Sequence, residues 1–196
     1  MSSVIEDTRT RILDVAWHLL VKRKGQDVRL DDIARQARVS RQAVYLHFRT
    51  RADLLIATVR HVDSVLELDQ RLAKICAAKT GNEIMDGMVE FWGNYIPEIY
   101  GLARALLAVY DADKDAAAAW NDRMAALLGG CRAAIDLLHR ENRLSAGWEV
   151  EEATEAMWSL LAITVWENLT IRQGWSNDQY IRRMQEIMHS TFIKQH

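Results

Sequence analysis

Residues 30–55 read LDDIARQARVSRQAVYLHFRTRADLL, and this stretch decides how the chain begins to fold. Ile33, Ala34 and Ala37 recur at helical spacing, which places small and apolar groups on one face of a short helix. Ser40, after the turn, is a natural N-cap for a second helix. The small residues allow the two helices to approach closely. The stretch therefore predicts two short packed helices joined by a tight turn.

The second helix of this pair has an apolar face and a polar face. Val44 and Phe48 lie four residues apart and face inward, as Ala43 does in part. The opposite face begins with Arg41 and Gln42, whose side chains carry hydrogen-bond donors suited to guanine and adenine edges. A second helix with an exposed polar start is what insertion into the DNA major groove requires. The pattern predicts a helix-turn-helix.

Further polar residues lie where they can reach DNA phosphates, at the cap, on the flank and at the start of the following helix. These residues are Ser40, Tyr45, His47, Thr50 and Arg51. An alternative for Tyr45 and His47 is that they only complete a small helical core. The spacing and the local charge favour the DNA contact.

Residues 9–60 resemble the N-terminal domain of the tetracycline-repressor (TetR) family. The matching segments are RILDVAWHLL, Gly25, LDDIA, VSRQAVYLHF, and Arg51 followed by Leu54 and Leu55. The resemblance implies a three-helix DNA-binding domain. It also implies a helical domain that binds a small inducer and dimerises through its last two helices.

The chain departs from the family pattern at several positions. Arg38 stands where members usually have glycine in the turn, which predicts a positive φ at a non-glycine residue and a possible phosphate contact. Arg29 takes the place of a common threonine cap, and Ala43 that of a common threonine. We add Arg29 and Arg38 to the predicted DNA contacts. The departures leave the operator sequence open.

Charge is distributed unevenly along the 196 residues. Residues 1–60 hold 12 Lys/Arg against 7 Asp/Glu, a net charge of +5, whereas the remainder carries −7. A basic segment at 1–60 followed by an acidic remainder suggests that only residues 1–60 contact a polyanion. No apolar run spans a bilayer and the first residues lack a secretory signal. Two isolated cysteines suit a reducing compartment, so we expect a cytoplasmic protein without a membrane partner.

The whole chain is predicted to be all-α, because apolar residues recur at helical spacing and no strand-like alternation occurs. The predicted helices are 6–23, 30–37, 41–48, 51–77, 82–95, 98–110, 113–143, 149–174 and 177–193. Ser176 or Asn177 is expected to cap the last helix, and Gly174 to end the one before. We divide the chain into a helix-turn-helix DNA-binding domain at 1–52 and a helical-bundle ligand-binding and dimerisation domain at 53–196.

The last two predicted helices carry the dimer prediction. Residues 156–166, AMWSLLAITVW, are apolar on nearly all sides, and such a helix must be buried on nearly all sides. Pairing with a second subunit would form a four-helix bundle; a central helix of a monomeric bundle is the alternative. The predicted interface residues are Leu161, Val165, Tyr180, Met184, Ile187 and Met188.

Seven tryptophans are many for this length, and large aromatic and methionine side chains line apolar ligand cavities. The candidates for binding a small, largely apolar effector are Trp92, Tyr95, Tyr100, Trp120, Met124, Met157, Trp158 and Trp166. Each of them could equally fill a core.

An enzyme is not expected. Glu186 and His189 have the E-x-x-H spacing of di-iron helical proteins, but no second such motif occurs, and neither a zinc motif nor a phosphate-binding loop is present. We predict no cofactor and no metal. The predicted function is a dimeric transcriptional repressor that a small molecule releases from a palindromic double-stranded DNA operator. The alternatives are an activator and an all-helical interaction module.

Overall fold

The structure is a computed structural model that describes the backbone of residues 2–194 and the side chains of residues 7–194. Within this part of the chain the regular elements are helices, and the one β-type pairing is an isolated bridge between Leu144 and Ile193. The all-α prediction is confirmed. None of the described helices is long and apolar enough to cross a membrane.

The helices follow one another with short connections. They are α1 Ser2–Lys22, α2 Leu30–Gln36, α3 Arg41–His47, α4 Arg51–Val65, α5 Leu68–Cys76, α6 Gly81–Leu107, α7 Lys114–Arg140, α8 Val150–Leu160, α9 Ile163–Trp166 with a π-helical continuation Glu167–Arg172, and α10 Asn177–Phe192. The last predicted boundary is confirmed in detail: Ser176 caps α10, where its hydroxyl accepts from the amide of Gln179, and Gly174 has a φ of 73°.

Two compact units make up the described chain. The first consists of the residues up to Leu68 together with Ile99–Met124, and the second of Asp69–Glu98 together with the residues from Ala125 onward. The core of the first unit contains fully buried apolar residues from α1, α2 and α4. They include Ile12, Leu13, Leu19, Leu20, Ile33, Leu54 and Leu55.

The predicted helix at 51–77 is two helices. It ends at Val65, Glu67 adopts a φ of 55°, and α5 begins at Leu68. A left-handed residue cannot continue a right-handed helix, and for a non-glycine side chain it costs about 1 kcal/mol. No glycine or proline marks this break, so the sequence offered no signal for it.

The opposite error occurs at Pro97. Helices predicted at 82–95 and 98–110 are one helix, α6, which runs through the proline. Proline removes one backbone hydrogen bond and crowds the preceding turn. Here Pro97 is exposed, whereas its neighbours Ile96 and Ile99 are buried. Burial of apolar residues on both sides therefore outweighs the local penalty.

The predicted helix at 149–174 is interrupted after Leu160. Ala162 has an extended ψ of 138°, and the chain then continues as α9 and its π-helical extension. The interruption frees backbone carbonyls that would otherwise be bonded within the helix. One of them, the carbonyl of Leu161, accepts a hydrogen bond from the buried indole of Trp92. A partner distant in sequence thus stabilises the break.

Candidate nucleic-acid interface

Helices α2 and α3 form the predicted helix-turn-helix. Ile33 and Ala34 are buried on α2, Ala37 is buried at its C-cap, and Val44 is buried on α3. Arg11 of α1 fixes the end of α2, because its Nε donates to the carbonyl of Ala37 over 3.0 Å. The two short helices therefore hold each other and α1 through small apolar contacts, as the sequence predicted.

The turn between the two helices contains the strained residue that the sequence indicated. Arg38 has a φ of 56° and is exposed. The next helix begins with a formed cap, since the hydroxyl oxygen of Ser40 accepts from the amide of Ala43 over 3.0 Å. Because this oxygen accepts, the hydroxyl hydrogen of Ser40 remains able to donate.

The outer face of α3 is open. Arg41, Gln42 and Tyr45 are exposed, and His47 is half-buried. Sequence reasoning missed Leu46, which is 82% exposed on the same short helix. An isolated exposed leucine among polar groups on a helix of this kind can make the apolar contact that distinguishes the methyl group of thymine.

Arg41 is held on two sides. Its Nη1 lies 3.2 Å from Oδ1 of Asp31 on α2, and its Nη2 donates to the hydroxyl of Tyr45 over 3.5 Å. The guanidinium also lies 5.8 Å from the centre of the Tyr45 ring. The hydrogen bond with Tyr45 and the charge of Asp31 raise the pKa of Arg41 above its usual value. Its charge is permanent at any physiological pH.

Arg51 faces a different partner from the one predicted. Its Nη1 and Nη2 donate to the two carboxylate oxygens of Asp113 over 2.7 and 2.8 Å, and Nη1 also lies 3.2 Å from Asp115. Nε and Nη2 of Arg51 donate to the carbonyl of Val28 as well. Burial lowers the pKa of Arg51, but the two carboxylates outweigh it and the pKa is raised. Arg51 is therefore engaged within the protein.

The remaining predicted contacts border this surface. Thr50 forms a capping box at the start of α4: its hydroxyl accepts from the amide of Asp53, and the carboxylate of Asp53 accepts from the amide of Thr50. Arg29 occupies the N-cap position of α2 without a side-chain cap bond and lies 3.6 Å from Asp27. Both Arg29 and Thr50 are exposed.

The predicted effector residues fall in both units. Tyr100, Trp120 and Met124 belong to the first unit; Trp92, Tyr95, Met157, Trp158 and Trp166 belong to the second. In the first unit, Trp120 lines a small apolar cavity of about 20 Å³ beside the ion pair of Asp63 and Arg123, whose N···O distance is 3.2 Å. In the second unit, Trp92, Tyr95 and Met157 are almost completely buried.

The predicted interface residues also divide by burial. Leu161, Tyr180, Met184 and Met188 are at most 1% exposed in the single chain, whereas Val165 is half-buried and Ile187 is 40% exposed. Side chains that fill the core of their own chain have no surface left for a partner. The accessible part of the set is therefore Val165 and Ile187, and Ile171, 53% exposed, is a further apolar side chain that the prediction lacked.

Glu186 and His189, the residues with the E-x-x-H spacing, contact other protein side chains. Glu186 accepts from Arg183 over 2.6 Å, and Nε2 of His189 lies 2.7 Å from Oδ1 of Asp86. Among the described residues, no group of three or more His, Cys, Asp or Glu side chains could hold a metal ion.

Comparison with known proteins bears on the helix-turn-helix first. Residues 12–58 match the family model described as bacterial regulatory proteins, tetR family. A segment of 64 residues is 44% identical to the HTH-type transcriptional regulator SrpR of Pseudomonas putida. The N-terminal segment of the chain is therefore similar to the tetR family. The segment shared with SrpR covers 33% of this chain and only 30% of SrpR.

Solved structures match the chain over nearly its whole length. A putative transcriptional regulator from Saccharomonospora viridis in complex with choline has a TM-score of 0.73 at 18% identity, covering 97% of this chain and 100% of that one. NalD of Pseudomonas aeruginosa, the secondary repressor of the MexAB-OprM multidrug efflux pump, has a TM-score of 0.72 at 20% identity, covering 97% and 98%. At these identities the likeness concerns the fold.

Proposed function

We propose that this chain is a DNA-binding transcriptional regulator of the tetR family that reads a palindromic operator as a homodimer. The observation that carries the proposal is the open polar face of α3, where Arg41, Gln42 and Tyr45 stand exposed on a capped and well-packed helix. Ser40, Thr50, Arg29 and Arg38 border this face and are proposed to contact phosphates. His47 is proposed to contribute at its edge.

Arg51 enters the proposal in a different role. A phosphate that binds Arg51 would have to compete with the bidentate carboxylate of Asp113. We therefore assign Arg51 to the joint between the start of α4 and the start of α7, both in the first unit. Gly25 lies in the same unit, where a Cβ at its position would lie 2.0 Å from the carbonyl oxygen of Ala105 on α6.

A homodimer follows from the proposed reading mode. Two recognition helices must enter successive major grooves about 34 Å apart, and a two-fold symmetric protein matches a palindromic site. The exposed apolar side chains Ile171 and Ile187, together with Val165, supply a surface in the second unit that a second copy could cover. We propose that the domain at 53–196 carries both this surface and the effector site.

A small effector is proposed to control DNA binding. The effector can weaken binding only by its differential affinity for two states of the dimer. The described relatives include a choline complex and a repressor of a multidrug efflux pump, and the aromatic residues of both units suit a largely apolar ligand. We propose that the protein represses transcription in the cytoplasm and is released by such a ligand.

Mobility shift of the purified full chain on duplexes flanking its own coding region tests the proposal. We expect a preferred duplex bound at least about 1,000-fold more tightly than random DNA. The variant Arg41→Ala should lose most of this preference. Arg35→Ala is the matched control, because Arg35 is also exposed but lies on α2 and pairs with Asp32 of the same helix. Equal binding of all duplexes by the parent protein would refute the function.

A further inference from the structure

The exposed arginines Arg29, Arg35 and Arg41, on or next to α2 and α3, each have an aspartate beside them, and one of these three pairs differs from the other two. Arg35 pairs with Asp32 within α2, and Arg29 lies 3.6 Å from Asp27 in the preceding turn. Arg41 instead pairs across the helix-turn-helix, from α3 to Asp31 on α2. Only this third pair joins the recognition helix to its supporting helix.

The Arg41–Asp31 pair contributes little to folding. The two side chains are 59% and 65% exposed, and ion pairs in such surroundings have small effects on stability. Its geometric effect is larger. A free arginine side chain samples many rotamers, whereas Arg41 is tied by Asp31 at one nitrogen and by the Tyr45 hydroxyl at another, with its guanidinium beside the Tyr45 ring.

The ties leave donors available. A guanidinium has five N–H groups, and Asp31 and Tyr45 use two of those of Arg41. Bidentate donation to O6 and N7 of guanine requires two donors in a fixed plane. We propose that Asp31 is a positioning residue that orients Arg41 to read one guanine in each half-site. This inference rests on the proposed function. It adds that guanine is the base recognised by Arg41 and that Asp31 holds Arg41 in the orientation this requires.

The competing explanation is that Asp31 only repels phosphate. Asp27 provides the matched control, because it lines the same open cleft as Asp31, is exposed, and pairs with Arg29 outside the recognition helix. Asp31→Asn and Asp27→Asn remove the same charge from the same cleft. General attraction to DNA should therefore change equally in both variants, whereas base discrimination should change only in Asp31→Asn.

The test selects duplexes from a random pool with the full-length parent and then measures binding to single-base variants of the selected site. We expect the parent protein to prefer guanine over adenine at one position of each half-site by about tenfold or more. Arg41→Ala and Asp31→Asn should both reduce this preference to about threefold or less, and Asp27→Asn should retain it. Replacing that guanine with 7-deazaguanine, which lacks N7, should weaken the parent protein but not Asp31→Asn.

The outcomes separate the two levels of the proposal. If the parent selects no sequence, the proposed function fails. If it selects a site in which Arg41→Ala keeps every base preference, Arg41 is not the guanine reader and the inference is overturned while DNA binding stands. If Arg41→Ala loses the guanine and Asp31→Asn keeps it, the positioning role of Asp31 is overturned. Loss in Asp27→Asn as well would assign the effect to charge alone.

Discussion

The ion pair between Arg51 and Asp113 allows the most specific prediction of a change in stability. Asp113 uses both carboxylate oxygens for Arg51, at 2.7 and 2.8 Å, and the two side chains are 22% and 24% exposed. Oδ1 of Asp113 also accepts from the amides of Asp115 and Ala116 at the start of α7. One carboxylate thus holds an arginine of α4 and caps another helix.

The expected cost of losing this carboxylate follows from these contacts. Breaking a fully buried ion pair costs about 3–5 kcal/mol, and a hydrogen bond to a charged group contributes about 1.5–3 kcal/mol. The pair remains about one-fifth exposed, and Asp115 stays beside Arg51 in the variant. We therefore expect Asp113→Asn to lower the free energy of unfolding by about 2 kcal/mol. Asp113→Ala also removes the cap, which adds about 1 kcal/mol.

Urea unfolding followed by tryptophan fluorescence at fixed protein concentration measures the effect. The control is Asp122→Asn. Asp122 is also on α7 and accepts two bonds from an arginine, Arg60, over 2.7 and 3.2 Å, but Arg60 is 66% exposed. An exposed pair of this kind contributes at most about 1 kcal/mol. Equal losses in Asp113→Asn and Asp122→Asn would refute the role of partial burial.

The same pair predicts a pH dependence. Burial raises the pKa of Asp113, but the Arg51 contacts and the helix amides outweigh it, so the pKa lies below the ordinary value. The unfolded state therefore binds the proton more readily, and the stabilisation is complete above the unfolded pKa of about 4. The stability difference between parent and Asp113→Asn should be constant from about pH 5 to 8 and shrink as the pH falls below about 4.

Four further variants test other features. Gly25→Ala should destabilise by about 2 kcal/mol or more in urea unfolding, because φ is 79° and the added Cβ would lie 2.0 Å from the carbonyl oxygen of Ala105. Arg38→Gly should stabilise by about 0.5–1 kcal/mol in the same assay, since it relieves a φ of 56°. The parent should bind less tightly when thymine in its site is replaced by deoxyuridine, which lacks the methyl group. Leu46→Ala should bind both duplexes equally, and its free energy of unfolding should equal that of the parent. Ile187→Asp should change the protein from a dimer to a monomer in sedimentation analysis. Its helical circular dichroism should remain that of the parent.

The helix-turn-helix could be predicted because its signals are local. Ser40 caps α3 in the manner that its position suggested, and Val44 and Phe48 are buried as their spacing predicted. The positive φ of Arg38 was also foreseen. The cap and the buried apolar spacing depend on residues within a few positions along the chain, so periodicity and capping rules are sufficient to find them. The φ of Arg38 was instead expected from the family resemblance, whose members usually have glycine at that position.

The helix boundaries within residues 53–196 could not be predicted, because they depend on contacts with residues distant in sequence. The break after Leu160 is stabilised by the indole of Trp92, and α6 continues through Pro97 because its neighbours are buried. Tyr180 and Met188 have the spacing of an apolar stripe, but that stripe is covered within the single chain. A stripe predicts burial without naming the surface that covers it.

Arg51 shows how the same limit applies to charge. Its position after Thr50, at the start of a helix beside the recognition helix, is typical of a phosphate contact. The carboxylates of Asp113 and Asp115 lie more than 60 positions away in sequence, yet they are its nearest anions. A phosphate would have to compete with a bidentate partner that also caps α7. The role of a charged residue therefore depends on which anion reaches it in the folded chain, and for Arg51 that anion is intramolecular.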